Sequence, residues 1–75
     1  MENELGLELQ KFGAKIREIR KSKNITQQQL AALCDVDIRT IQRIEKGGFN
    51  PSLKILRQLA LAFDLSLSSL FSVID

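Results

Sequence analysis

Two residues that open helices, Thr26 and Asp37, stand with room between them for one short helix and one tight turn. Thr26 is followed three residues later by Gln29, which completes a capping box. The helix it opens runs from Gln27 to Cys34 and directs Leu30, Ala31, Leu33 and Cys34 inward. Asp35 and Val36 form the turn. Asp37 then caps a further helix from Ile38 to about Lys46, stopped by Gly47 and Gly48. Two short helices joined by so brief a turn suit many small folds, so the flanks must decide among them.

Before this unit, Leu9, Phe12, Ile16 and Ile19 recur at helical spacing with charged residues between them, giving an amphipathic helix over residues 9–23. Residues 2–7 can extend it, although Gly6 and Gly13 weaken that end. After the unit, Pro51 suits the start of a fourth helix carrying Leu53, Leu56, Leu59, Ala60 and Phe63. Asp64 and Leu65 break it, and Ser66 caps a last short helix with Leu67, Leu70 and Phe71. The expected fold is all-α: a compact five-helix domain over residues 9–75, with residues 1–8 as an N-terminal extension. No strand-period segment or repeat interrupts this pattern. A chain of 75 residues has room for one modest core.

Several function classes fall away. The chain has no histidine and a single cysteine, Cys34. It therefore offers no histidine-based triad or general base, no zinc set and no internal disulfide. There is no glycine-rich phosphate loop. The expectation is a non-enzyme without cofactor or metal. Cys34 reads as a small buried apolar residue. No run of apolar residues approaches membrane length, and the first eight residues carry three glutamates and no base, unlike a signal peptide. A cytoplasmic protein is the expected setting.

Charge is distributed unevenly. All eleven Lys and Arg lie between Lys11 and Arg57, where only four acids accompany them, a net of +7 in that stretch against +2 for the whole chain. A basic body with acidic ends points to a polyanionic partner, although a solvated helix surface would look similar. The third helix sharpens this. With Ile41 inward, Ile38 and Ile44 lie about 60° to either side, and Arg39 and Arg43 fall roughly 160° away, one above the other. Thr40 and Gln42 flank them. Such a helix fits the major groove of DNA, where Arg reads guanine O6 and N7 and an apolar group or Thr touches a thymine methyl.

Residues 26–47, TQQQLAALCDVDIRTIQRIEKG, and the following FNPSLKILRQLALAFDLSLSSLF resemble the Cro and phage-repressor type of helix-turn-helix family, also described as xenobiotic-response-element-like. Small autonomous regulators such as restriction-modification controller proteins belong to the same group. The resemblance spans about Phe12 to Phe71. It implies that the helix from Ile38 enters the major groove while the helix from Gln27 crosses the backbone above it. By position, it makes Ile38, Arg39, Thr40 and Arg43 base contacts and Thr26, Gln27, Lys46 and Gly47 phosphate contacts. Gln42, at the edge of the face, is a further candidate. Ile38 could instead pack inward beside Ile41. The resemblance also implies an ion pair between Arg20 and Glu45. Each directly follows a core isoleucine and so borders the apolar face, although both could also be solvated. Where Asp35 and Asp64 stand, the family usually has glycine. A left-handed backbone is expected at both.

The end of the chain supplies the last expectation. Leu65, Leu67, Leu70, Phe71, Val73 and Ile74 put six apolar residues in the final eleven, more than one short helix can bury. A dimer interface over about residues 65–75 is the expectation, giving a homodimeric regulator of double-stranded DNA, nucleoid-associated when bound; the alternative is that Leu67, Leu70 and Phe71 all pack internally and Val73 and Ile74 form a disordered tail. The alternatives are a protein-interaction module, such as an antitoxin or coregulator with secondary DNA binding, and a DNA-binding piece of a longer regulator.

Overall fold

Capping residues divide the chain into its elements. The computed structural model describes residues 2–72 and contains five helices: α1 Glu2–Ser22, α2 Gln27–Cys34, α3 Ile38–Lys46, α4 Leu53–Ala62 and α5 Leu67–Phe71. Thr26 closes the expected capping box, accepting from the Gln29 backbone N–H at 3.0 Å while the Gln29 side chain accepts the Thr26 N–H at 2.8 Å. Asp37, Ser52 and Ser66 cap α3, α4 and α5 in the same extended backbone conformation. Each cap satisfies an amide that the helix itself leaves without an acceptor.

The turns use left-handed residues. Asp35 and Asp64 have φ of 54° and 57°, as expected, and Asn24 joins them at 57°. Short polar side chains tolerate this region better than most. At Asp35 the N–H bonds back to Ala31 and Ala32, so the chain leaves α2 and reaches the Asp37 cap within two residues. That brevity fixes α2 across α3.

The core consists of Phe12 and Ile16 from α1, Leu30, Ala31 and Cys34 from α2, Ile41 and Ile44 from α3, Leu59 and Ala60 from α4, Phe63, and Leu70 from α5. Helix α1 packs chiefly on α3, α2 on α3 and α4, and α4 on α5. Helix α1 begins at Glu2, so residues 2–7 do extend it. Two expectations need correction. Leu33 is 60% exposed, because it lies about 100° around α2 from the inward-facing Cys34. Leu53 is 68% exposed, since α4 turns its apolar side to the core only from Ile55 and Leu56 onward.

Gly13 has a tertiary reason rather than a cost alone. A Cβ there would collide with the backbone carbonyl oxygen of Ile44 and come within 2.9 Å of that of Glu45. The last turn of α3 therefore rests directly on the backbone of α1. Gly47, at φ 82°, ends α3, and a Cβ on it would stand 2.7 Å from the Cα of Gln10. These two glycines set how α3 is presented.

Candidate nucleic-acid interface

Helix α3 holds Ile41 and Ile44 in the core, which leaves Arg39, Gln42, Arg43 and Lys46 exposed on the other side. Thr40 is half-buried beside them. Ile38 is also half-buried and packs against the core, so part of its side chain is already committed inward. Arg43 makes no salt bridge among the described residues, and its charge faces solvent.

Arg39 behaves differently. Its Nε donates to Asp37 Oδ1 at 3.1 Å and its Nη2 to Asp37 Oδ2 at 3.1 Å. The same Oδ1 accepts the Arg39 backbone N–H at 2.8 Å. The hydrogen bonds from Arg39 hold the Asp37 carboxyl down at about 2, well below its ordinary 3.8, and raise Arg39 further above its own. Sequence reasoning gave Asp37 only its capping role. The signal was the Asp-x-Arg spacing at the helix start.

At the other end of α3, Glu45 is the hub of a buried network. Arg20 donates to it through Nε at 2.7 Å and Nη2 at 3.1 Å, and Gln27 Nε2 donates at 3.1 Å. Arg20 Nη1 also reaches the Ile25 carbonyl at 2.9 Å. The cluster ties α1, the α1–α2 turn, the start of α2 and the end of α3 together, with no buried side-chain polar atom left unpartnered among the described residues.

The expected phosphate-contacting residues divide by what remains free. Gln27 spends its side-chain amide on Glu45, but its backbone N–H and that of Gln28 lie in the first turn of α2, where no helical acceptor exists. Such a helix start favours an anion. The Thr26 oxygen and N–H are both engaged in the capping box, leaving only its hydroxyl proton to donate outward. Lys46 is exposed. Gly47 cannot offer its N–H, which bonds back to Arg43 and Ile44, and its neighbour Gly48 donates to Arg43. Its contribution is to terminate α3 against α1. A polar cleft beside this end is lined by Arg17, Arg20, Gln27, Gln42, Glu45 and Lys46. Arg17 was not foreseen, although it stands one turn before Arg20 and therefore on the same side.

The expected dimer residues also separate. Leu70 is 1% exposed and belongs to the core of its own chain, so it has nothing to offer a partner. Leu65 and Leu67 are half-buried against that core. Phe71 is 39% exposed, with its ring 6.4 Å from that of Phe12. It borders an apolar groove with Leu5, Leu9, Pro51 and Leu56. Val73 and Ile74 lie outside the described residues.

Other chemistry finds little support. Burial pushes the Cys34 thiol up to about 11, which keeps it protonated and unreactive near neutral pH. Among the described residues there is no metal-ligand cluster, and no helix is long and apolar enough to cross a membrane.

Comparison with known proteins bears on the family and the fold. The family model described as helix-turn-helix matches residues 16–70. An uncharacterised helix-turn-helix-type transcriptional regulator of Archaeoglobus fulgidus is 39% identical over 57 residues, covering 76% of this chain and 80% of that protein. The control protein C.MunI of Mycoplasma is 36% identical over 66 residues, covering 87% and 89%. The crystal structure of the restriction-modification controller protein C.AhdI from Aeromonas hydrophila superposes with a TM-score of 0.80 at 37% identity, covering 83% of this chain and 94% of that one.

Proposed function

The chain belongs to the helix-turn-helix family, and from that membership we propose that it is a sequence-specific regulator of transcription that reads double-stranded DNA with α3 in the major groove. The observation that carries the reading is the exposed row Arg39, Gln42, Arg43 and Lys46 on a helix whose other side holds Ile41 and Ile44 in the core. Arg39 and Arg43 are the base-reading residues, with Thr40 and the outer part of Ile38 beside them. Phosphates on one side meet the first-turn N–H groups of α2 and the Thr26 hydroxyl. On the other side they meet Lys46 and Arg17, across the cleft that Gln27 and Gln42 help to line.

The mechanism is positional. A short recognition helix discriminates only if its axis is held fixed while its side chains sample the bases. Here the Arg20–Glu45–Gln27 network and the close approach at Gly13 hold it. Affinity comes mainly from phosphate neutralisation, and sequence preference from the two arginines.

One such domain touches few base pairs, so the proposal includes a two-fold dimer on a near-palindromic site with half-sites roughly 34–36 Å apart. Phe71 and the groove it shares with Leu5 and Leu56 are the apolar surface for it. The relatives named as control proteins support a regulatory role, not a particular oligomeric state.

Selection of the full chain against a random duplex library tests the reading. The expected result is an enriched pair of inverted half-sites, bound with an affinity that falls steeply as salt rises, by about 0.9 log unit per log unit of salt for each phosphate neutralised. A pool with no enriched motif and a flat salt dependence would overturn it. Sedimentation of the wild type and Leu5→Lys on the selected site tests the dimer. Two copies per site for the wild type and one for the variant are expected, and one copy for both would contradict it.

A further inference from the structure

Asp37 does more than the capping of α3 requires. A cap needs one side-chain oxygen on one backbone amide, and Oδ1 supplies this at 2.8 Å to the Arg39 N–H. The carboxylate then also grips the Arg39 guanidinium at both Nε and Nη2, each at 3.1 Å. We propose that Asp37 is a specificity-determining positioning residue, which holds the Nε–Nη2 edge of Arg39 and thereby turns the Nη1–Nη2 end toward a guanine. The inference rests on the reading of α3 as the major-groove helix.

The donor inventory supports it. A guanidinium carries five N–H donors in a fixed plane. Asp37 occupies the Nε–H and one Nη2–H. The free ones include the parallel pair at the far end, which is the fork that matches guanine O6 and N7. An unheld arginine on an exposed helix must give up its rotamer freedom when it binds. Arg39 has given up much of it already, because its partner is itself fixed by the cap. Arg43, one turn on, has no such partner among the described residues.

Charge follows the same logic. The Asp37–Arg39 pair is nearly neutral, so it can enter the groove without bringing a bare carboxylate against the phosphates. Loss of Arg39 would leave that carboxylate uncompensated beside a polyanion. Arg39→Ala should therefore weaken binding to every sequence as well as lose a base preference.

The test compares four full-length proteins, wild type, Asp37→Asn, Arg39→Ala and the double variant, by base preference across a selected site and by affinity for random duplex. Asparagine caps helices as well as aspartate, so Asp37→Asn should fold, and Asp37→Ser provides a second capping variant without the carboxylate. For Asp37→Asn the guanine preference at the position governed by Arg39 should fall roughly tenfold, with other positions unchanged and random-duplex affinity not reduced. The double variant should bind random duplex more tightly than Arg39→Ala alone. Full retention of the guanine preference in both Asp37→Asn and Asp37→Ser would overturn the proposal. So would a change at a position that Arg39→Ala does not affect, because Asp37 would then be contacting a base itself. A wild-type protein with no base preference would fail earlier, by removing the groove-reading role of α3.

Discussion

Two arginine–carboxylate pairs of the same bidentate form sit at opposite ends of α3, and they differ in almost everything else. Arg20 and Glu45 are 25 residues apart in sequence, with side chains only 10% and 4% exposed. Asp37 and Arg39 are two residues apart, with Arg39 74% and Asp37 52% exposed. The buried pair is tied further into the fold by the Ile25 carbonyl and the Gln27 amide. The exposed pair rests on a single turn of chain and can exchange its free edge for another partner at little cost. Helix α3 is therefore locked at one end, and the other end keeps a guanidinium edge free. The same chemistry is structural in one place and exchangeable in the other according to how much water surrounds it.

The largest effect is expected at the buried end. Arg20→Ala strands the Glu45 carboxylate and frees the Ile25 carbonyl. It should cost about 3–5 kcal/mol in urea unfolding, a large part of the stability of a domain this size. The paired replacement Arg20→Met with Glu45→Leu should be milder than either single change, because no charge is left alone. A single-variant loss under about 1 kcal/mol would place the pair in the same class as solvent-exposed bridges.

Gly13→Ala comes next. The added methyl meets backbone oxygens of Ile44 and Glu45 rather than a side chain that can swing away. A loss of about 1–3 kcal/mol is expected despite the better helix propensity of alanine. DNA binding should weaken beyond what the unfolded fraction explains, since the axis of α3 shifts. A gain in stability would show that the two backbones do not rest on each other.

The smallest effects concern titration. Asp37 is held near 2 in the folded chain, against 3.8 ordinarily, chiefly by its hydrogen bonds from Arg39. Its contribution to stability is therefore complete above about 3.8 and disappears as the pH falls toward 2. The thermal midpoints of wild type and Asp37→Asn should converge through that window. The buried Cys34 thiol, pushed up to about 11 by burial, acts at the other extreme. As the pH rises from 9 toward 11 the unfolded chain ionises its thiol first, so stability falls, and Cys34→Ala should lose that part of the slope. Parallel curves in either comparison would contradict the environments assigned to these groups.

Much of this contrast was readable from the residues. The caps Thr26 and Asp37, the left-handed Asp35 and Asp64, and the five helices follow from local chemistry. The positions of Arg20 and Glu45 beside core isoleucines likewise marked where a pair could form. What could not be read depends on tertiary approach. Gly13 looked only like a weak helix residue, because propensity does not register the end of another helix resting on it. Leu33 and Leu53 looked like core because hydrophobicity marks a candidate, whereas the angle around the helix decides. Gln27 looked free for phosphate, yet its amide is taken by Glu45. The Asp37–Arg39 grip depends on a rotamer, which no periodicity encodes.

If the exposed face of α3 reads bases while the Arg20–Glu45 pair only holds the helix, the residue to change is Arg43, an exposed arginine of α3 with no salt bridge among the described residues. The measurement is the base-preference profile of Arg43→Ala against wild type over a fully randomised half-site, with unfolding midpoints recorded alongside. Arg43→Ala should leave the midpoint unchanged and lose preference at one position of each half-site, roughly tenfold or more. Equal weakening on every sequence, with the profile intact, would contradict it.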